Sequence, residues 1–308
     1  MIEKPMDVLA HHEIRKSKAQ KSAFIEAVLQ YAAGLGYAAR VETGKLGSRN
    51  VVLGDPEKAK FLVTAHYDTP AVMIVPNLIT PCNPITFIAY QLFVVAIFFA
   101  VAFAVGIPVW YLTQNMELAF LAGYIAYFGM LLLLLFGPAN RHTANDNTSG
   151  VVSLLEIAAS MPENLRDRVC FVLFDLEEAG LVGSASYRKA HKTATESQIV
   201  VNMDCVGDGD HIVLFPSKKV KKNAAYMAAL RALAGHCGQK EITVHEKGFA
   251  HYPSDQRNFP LGVGVAAFRK KKGVGLYCGR IHTARDTVLE QTNVNILRAA
   301  IISLMTHN

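Results

Sequence analysis

This 308-residue chain lacks paired cysteines. Its five cysteines, at positions 82, 170, 205, 237 and 278, are odd in number and widely spaced. That excludes a disulfide framework, a zinc ribbon or a redox motif, and leaves reduced packing residues. The opening from Met1 to Asp7 also lacks a basic start, an apolar core and a small-residue cleavage site. No secretory signal is evident, so the N-terminal part is expected to stay in the cytoplasm. Internal repeats and low-complexity tracts are missing too. The most informative shortage is of charge: between Thr69 and Asn140, Glu117 is the only formally charged residue.

The overall balance gives little warning of that stretch. Net charge is +6 and the pI is near 9.0, values that would suit a nucleic-acid partner. The basic residues, however, fall in local clusters such as Lys218 to Lys222 and Arg269 to Lys272, neither interleaved with aromatics. Solvated loops, or attraction to an anionic membrane surface, explain them better, and no nucleic acid is expected. Hydrophobic residues make up 51% of the chain and mean hydropathy is +0.23, with the excess concentrated between Pro84 and Phe136. Ile85 to Leu112 is uncharged, and after Thr113 to Glu117 the chain is apolar again from Leu118 to Phe136. A spanning helix needs about 20 residues to cross a hydrocarbon core of about 30 Å, and both runs are long enough.

Two spans joined by a short turn make a transmembrane hairpin over 84–136. An even number of crossings returns the chain to its starting side. The turn has no Lys or Arg, whereas Arg141 follows the second span, so the catalytic part is expected on the cytoplasmic face of the inner membrane. Trp110 and Tyr111 would lie at the far interface, and Gly106 and Pro108 would kink that end. The competing reading, an apolar dimerisation arm on a soluble enzyme, suffers from the near absence of a polar face on either helix.

Outside this insertion, helical spacing runs from Arg15 to about Gly34, ending at Gly34 and Gly36. Short aliphatic runs at Asn50–Leu53, Phe61–Ala65, Val169–Phe174, Ile199–Met203 and His211–Leu214 predict strands buried on both faces. Helical stretches at Gly150–Ala159, Ser184–His191, Asn223–Gly235 and Gln291–Met305 alternate with them. The expected fold is α/β, a mixed, mostly parallel sheet flanked by helices, plus the inserted hairpin. Residues 1–83 and 137–308 would form one discontinuous catalytic domain.

Five polar islands stand beside the apolar runs: His66-Tyr67-Asp68, Asn145-Asp146-Asn147, Glu177-Glu178, Asp204, and His282 within Ile281 to Asp286. His66, Glu177-Glu178 and Asp204 each follow a predicted strand, where α/β enzymes gather their chemistry. Two imidazoles, three carboxylates and a spare carboxylate are the inventory of a two-metal hydrolase.

These islands resemble the motifs of the M28 family of zinc aminopeptidases. The resemblance rests on Val63 to Asp68, Ala144 to Gly150, Phe174 to Ser184, Asn202 to Asp204 and His282 to Thr287, and covers essentially all of the chain outside the insertion. It implies two divalent cations, most aptly Zn2+, and a peptide substrate with a free N-terminus. Asp146 would bridge both cations, His66 and Asp204 would complete one site, and Glu178 and His282 the other. Glu177 would be the general base and Asp68 the partner of His66.

Physical chemistry agrees with these roles. Adjacent cations need an anionic bridge, and three carboxylates against four positive charges leave an excess that acidifies a water. Asp68 is placed to fix the His66 tautomer. Ser254 to Phe259 resembles a further family segment, with Gln256 where a His is common, so a substrate-side contact is expected to differ. His251 and Tyr252 are candidates to donate a hydrogen bond to the developing oxyanion, or to pack. The alternatives to an aminopeptidase are an M28-like glutaminyl cyclase or other amidohydrolase, and a catalytically inactive membrane scaffold.

Overall fold

A computed structural model describes residues 2–73, 75 and 77–306. The extreme residues of the expected 1–83 and 137–308 segments lie outside that range. In chain order the elements begin with α1 (Asp7–His11), α2 (Lys18–Gly34), β1 (Ala39–Thr43), β2 (Arg49–Leu53) and β3 (Phe61–His66). The hairpin helices α3 (Pro84–Thr113) and α4 (Met116–Phe136) follow, then α5 (Gly150–Ser160), α6 (Glu163–Arg166), β4 (Val169–Phe174), α7 (Val182–Ala190), β5 (Ile199–Met203) and β6 (His211–Pro216). The chain closes with α8 (Lys218–Lys221), α9 (Ala224–Ala232), β7 (Gly235–Cys237), β8 (Lys240–Val244), β9 (Gly262–Lys271), β10 (Gly275–Tyr277) and α10 (Gln291–Thr306).

The strands form one mixed sheet in the order β1-β2-β4-β3-β5-β9-β6-β8-β7, with β10 hairpinned onto β9. Its centre, β4-β3-β5-β9, is parallel. Every residue of β3, β4 and β5 is buried, as their unbroken aliphatic runs require. Because these three strands point the same way, His66, the Glu177-Glu178 turn and Asp204 leave the sheet along one edge.

Three expectations need correction. The first long helix starts at Lys18, where Ser17 and Gln20 make a reciprocal capping box; Arg15 lies before it in an extended strap. Arg269 to Lys271 are not loop but the end of β9, and the Arg269 guanidinium pairs with buried Asp208 at 2.7 Å. Lys218 to Lys221 form a short helix capped by Ser217.

Both hairpin helices are long and apolar enough to cross a membrane and are almost wholly exposed. At 1.5 Å per residue they measure about 45 and about 31 Å, against about 30 Å of hydrocarbon. Asn83 caps α3 through the N–H groups of Ile85 and Thr86, and Asn115 caps α4 through that of Leu118. Small residues let the two backbones touch. A Cβ on Gly106 would stand 3.0 Å from the Ala119 carbonyl oxygen, and one on Gly123 3.2 Å from that of Ala102. Gly123→Leu is therefore expected to destabilise the detergent-solubilised protein by about 1–3 kcal/mol, and so lower its unfolding midpoint, because the helices must separate to admit the side chain. Differential thermal unfolding of the two proteins measures it.

Candidate metal centre

The six sequence-predicted residues that carry donors or the general base converge on one crevice. His66 Nε2 lies 3.3 Å from Asp146 Oδ1 and 3.6 Å from Asp204 Oδ1. His282 Nε2 lies 3.0 Å from Asp146 Oδ2 and 3.6 Å from Glu178 Oε1. Asp146 thus presents one oxygen to each of two trios, His66-Asp146-Asp204 and Asp146-Glu178-His282, while Glu177 sits with His66 and Glu178.

This geometry fits divalent cations better than it fits bare ion pairs. Charge-assisted hydrogen bonds close to about 2.7–2.9 Å. Donors around a tetrahedral zinc at about 2.0–2.2 Å stand roughly 3.3–3.6 Å from one another. Most of the spacings here fall in the second range. Asp204 Oδ1 is moreover buried with no hydrogen-bond partner among the described residues.

Apart from Asp68, the groups that hold the donor loops are ones that the residue types alone did not reveal. The loop bearing Asp146 is clamped by buried Asp286, whose two carboxylate oxygens accept the backbone N–H of Asn145 (2.7 Å) and Asp146 (3.0 Å). The flanking asparagines tie the same loop to the end of β5. The Asn145 side-chain oxygen accepts from the N–H of Gly207 and Asp208, and the Asn147 amide donates to the Met203 carbonyl. Asp68 lies 3.5 Å from His66 Nδ1 and also accepts the N–H of Glu177 (3.0 Å) and Glu178 (3.2 Å), fixing the acidic turn. Fully buried Arg15 donates to the Tyr67 carbonyl and to Thr148 Oγ1, bracing two donor loops from below. Leu176, Cys205 and His282 take positive φ of 55°, 53° and 60°, so unfavourable backbone is concentrated beside the donors.

Two expectations are resolved. Tyr252 takes the packing role, the second of the two it was given: its hydroxyl donates to the Asp204 carbonyl at 2.8 Å, and its ring stacks on Phe215. Gln256, expected on the substrate side, is buried and bonded to the Tyr252 carbonyl and to Asn202. His251 packs on Phe87, ring centroids 4.7 Å apart.

The electrostatics reflect crowding of like charge. Burial, reinforced by neighbouring carboxylates, holds Glu177 and Glu178 well above the usual carboxylate range. Burial also opposes ionisation of Asp146, but His282 and His66 draw it below that range. Asp286 is pushed up to about 8 by burial and by Asp146. Asp255, fully buried near the site, is pushed up to about 7 by burial, with Asp68 and Asp204 adding to it.

Residues 129–305 match Peptidase_M28, peptidase family M28, over more than half of the chain. The chain belongs to peptidase family M28. No curated protein sequence matches it significantly. Among solved structures, a glutaminyl cyclase of Porphyromonas gingivalis is similar at TM-score 0.63 and 16% identity, over 98% of this chain and 95% of that one. A Zn-dependent exopeptidase of Parabacteroides distasonis superposes at TM-score 0.59 and 14% identity, over 99% and 98%. The LapA aminopeptidase of Legionella pneumophila gives 0.57 and 14%, over 98% and 70%. At such identities these likenesses concern the fold alone, a mixed α/β fold with a mostly parallel sheet flanked by helices.

The raised carboxyl of Asp255 has a defined consequence for stability. A carboxyl whose folded pKa lies above its unfolded value stabilises fully below the unfolded pKa, and that contribution is lost as pH rises through the folded value. Chelator-treated protein is expected to lose thermal stability as pH rises from about 4 through about 7, and Asp255→Asn to flatten that slope. Thermal unfolding of both proteins across this pH range checks it.

Proposed function

We propose that this M28 protein is a membrane-anchored di-metal aminopeptidase that removes N-terminal residues from peptides. Its catalytic domain is discontinuous, residues 1–83 and 137–308, interrupted by the transmembrane hairpin 84–136. The observation that carries the reading is Asp146 standing between two donor trios, one oxygen toward each. Three carboxylates and two imidazoles suit a pair of Zn2+ ions, with His66 and Asp204 on one, Glu178 and His282 on the other, and Asp146 on both.

When bound, the cations supply Lewis-acid polarisation of the scissile carbonyl and lower the pKa of the attacking water. Glu177, left outside the donor set, takes the proton from that water as its oxygen adds to the carbonyl carbon. Glu177 then delivers the proton to the leaving nitrogen as the C–N bond breaks, giving a free amino acid and a shortened peptide. Asp68 holds the turn that aims Glu177 and faces the second nitrogen of His66. Five donors in two trios favour this over the one-zinc cyclase chemistry that the resemblance also offers. Retention of Glu177 with all five donors speaks against an inactive scaffold.

Charge supports a cytoplasmic catalytic domain. Lys16 donates to the Leu135 carbonyl at the end of α4, and Asn83 at the start of α3 donates to the Val274 carbonyl beside Lys271 and Lys272. The far turn, 113–116, has no basic residue.

Elemental analysis is expected to give two zinc ions per chain and aminoacyl release abolished by chelation. Glu177→Gln should keep the metal and lose turnover by about 10²–10⁴-fold. A fully active Glu177→Gln would sink the general-base assignment; one zinc with cyclisation of N-terminal glutamine, and no hydrolysis, would establish the cyclase. For orientation, Asn115→Cys should react with a membrane-impermeant maleimide in intact cells, whereas exposed Cys237 should react only after the membrane is opened.

A further inference from the structure

The loops that carry the donors are fastened to the two ends of the hairpin. On the entry side, Met73 N–H donates to the His282 carbonyl at 2.8 Å, and Ile79 and Cys278 exchange both backbone hydrogen bonds. On the exit side, Asn140 donates through its backbone to the Pro70 carbonyl (3.0 Å) and through its amide to the Thr283 carbonyl (3.1 Å), while Ala139 bridges Ala71. The loop leading to Tyr252 is held the same way: His251 N–H donates to the Pro81 carbonyl at 2.9 Å, and Phe87 in the first turns of α3 packs against His251 and Phe249. Tyr252 in turn supports Asp204.

The outer side of this junction is apolar. Ile85, Ile88 and Phe249 are 78%, 55% and 40% exposed, on the surface where α3 leaves the catalytic domain. Side chains of this kind lie in the boundary between headgroups and acyl chains, with basic residues above them. Lys270 to Lys272, on the β-hairpin whose Val274 carbonyl holds Asn83, supply that charge.

Reach can be bounded from the chain itself. Three residues separate Phe136, the last of α4, from Asn140, which bonds directly to the residue after His282. Extended backbone spans at most about 3.6 Å per residue, so His282 stands no more than roughly 28 Å from the end of that span. About eight extended residues cover that distance.

We propose that the substrate is the free N-terminal segment of a polypeptide anchored in the same bilayer, emerging on the face that carries the catalytic domain. This rests on the aminopeptidase and membrane-spanning readings above. A second anchor in the same membrane makes the encounter effectively intramolecular, and the rate then follows the match between tether length and the distance to be spanned. A tether too short cannot reach, and one too long dilutes its own end. A crevice facing away from the bilayer would reward only the longest tethers.

The test uses the intact metal-loaded protein in phospholipid vesicles. One N-terminal sequence is offered either as a free peptide or fused through a flexible spacer to a single apolar helix in the same vesicles. Spacers of about 2, 8, 15 and 40 residues bracket the calculated reach. A flexible spacer of n residues has an r.m.s. length of about 5–6 Å × √n, so the bound of about 28 Å is matched by roughly 25 residues. The expected result is an optimum at or below that length, at least about tenfold faster than the free peptide at equal bulk concentration, with slower cleavage at about 2 and at about 40 residues. Equal rates for free and tethered peptide, or a rate still rising at the longest spacer, would overturn the proposal. The underlying readings fail differently. No cleavage even of the free peptide removes the aminopeptidase, and release of the enzyme from vesicles at alkaline pH removes the membrane span; the proposal falls with either.

Discussion

Like-charge repulsion is the constraint on which this structure depends. Asp146, Glu177, Glu178 and Asp204 meet in one crevice with His66 and His282 among them. Buried carboxylates at such spacing cannot all ionise unless positive charge joins them. The surroundings are built to tolerate the strain until it does. Asp68 and Asp286 are held by backbone N–H groups, Arg15 lies fully buried beneath two donor loops, and the left-handed residues Leu176, Cys205 and His282 turn the chain where a donor must face inward. Two divalent cations would convert this repulsion into attraction, so metal binding and the stability of the folded crevice are one free energy.

The donors were legible in the sequence because their chemistry interrupts an apolar pattern. A His or Asp at the end of an aliphatic strand run is conspicuous, and three parallel strands carry their ends to one edge. Of what supports the donors, only Asp68 was legible. Asp286 reaches the N–H of Asn145 and Asp146 across about 140 residues, and Arg15 reaches Thr148 across 133, contacts that leave no local periodicity. Arg15 looked like the start of a helix because its spacing continued that of α2, although the capping box at Ser17 begins the helix two residues later.

Strand β9 was hidden for a different reason. Its sequence from Gly262 to Lys271 mixes glycine with a basic end, which weakens both strand propensity and the aliphatic signal. Gly264 has a tertiary cause: a Cβ there would lie 2.7 Å from the Gln256 amide nitrogen, so the strand gives up a side chain to seat Gln256. Gln256 itself was read as facing substrate because of its place in a motif. Its buried bonds to Asn202 and to Tyr252 turn it into a brace between β5 and the loop below Asp204.

For a chain inserted as proposed, the position of the hairpin would also order assembly. His66 is synthesised before the two apolar helices and Asp146, Glu178, Asp204 and His282 after them. In a chain whose helices span the membrane, threading only one of them would strand His66 across the bilayer from every other donor. A half-inserted molecule would then be an inert one, and proteolytic power would arise only in molecules that have completed their insertion. If the helices span the membrane as proposed, the interruption would serve as an assembly checkpoint.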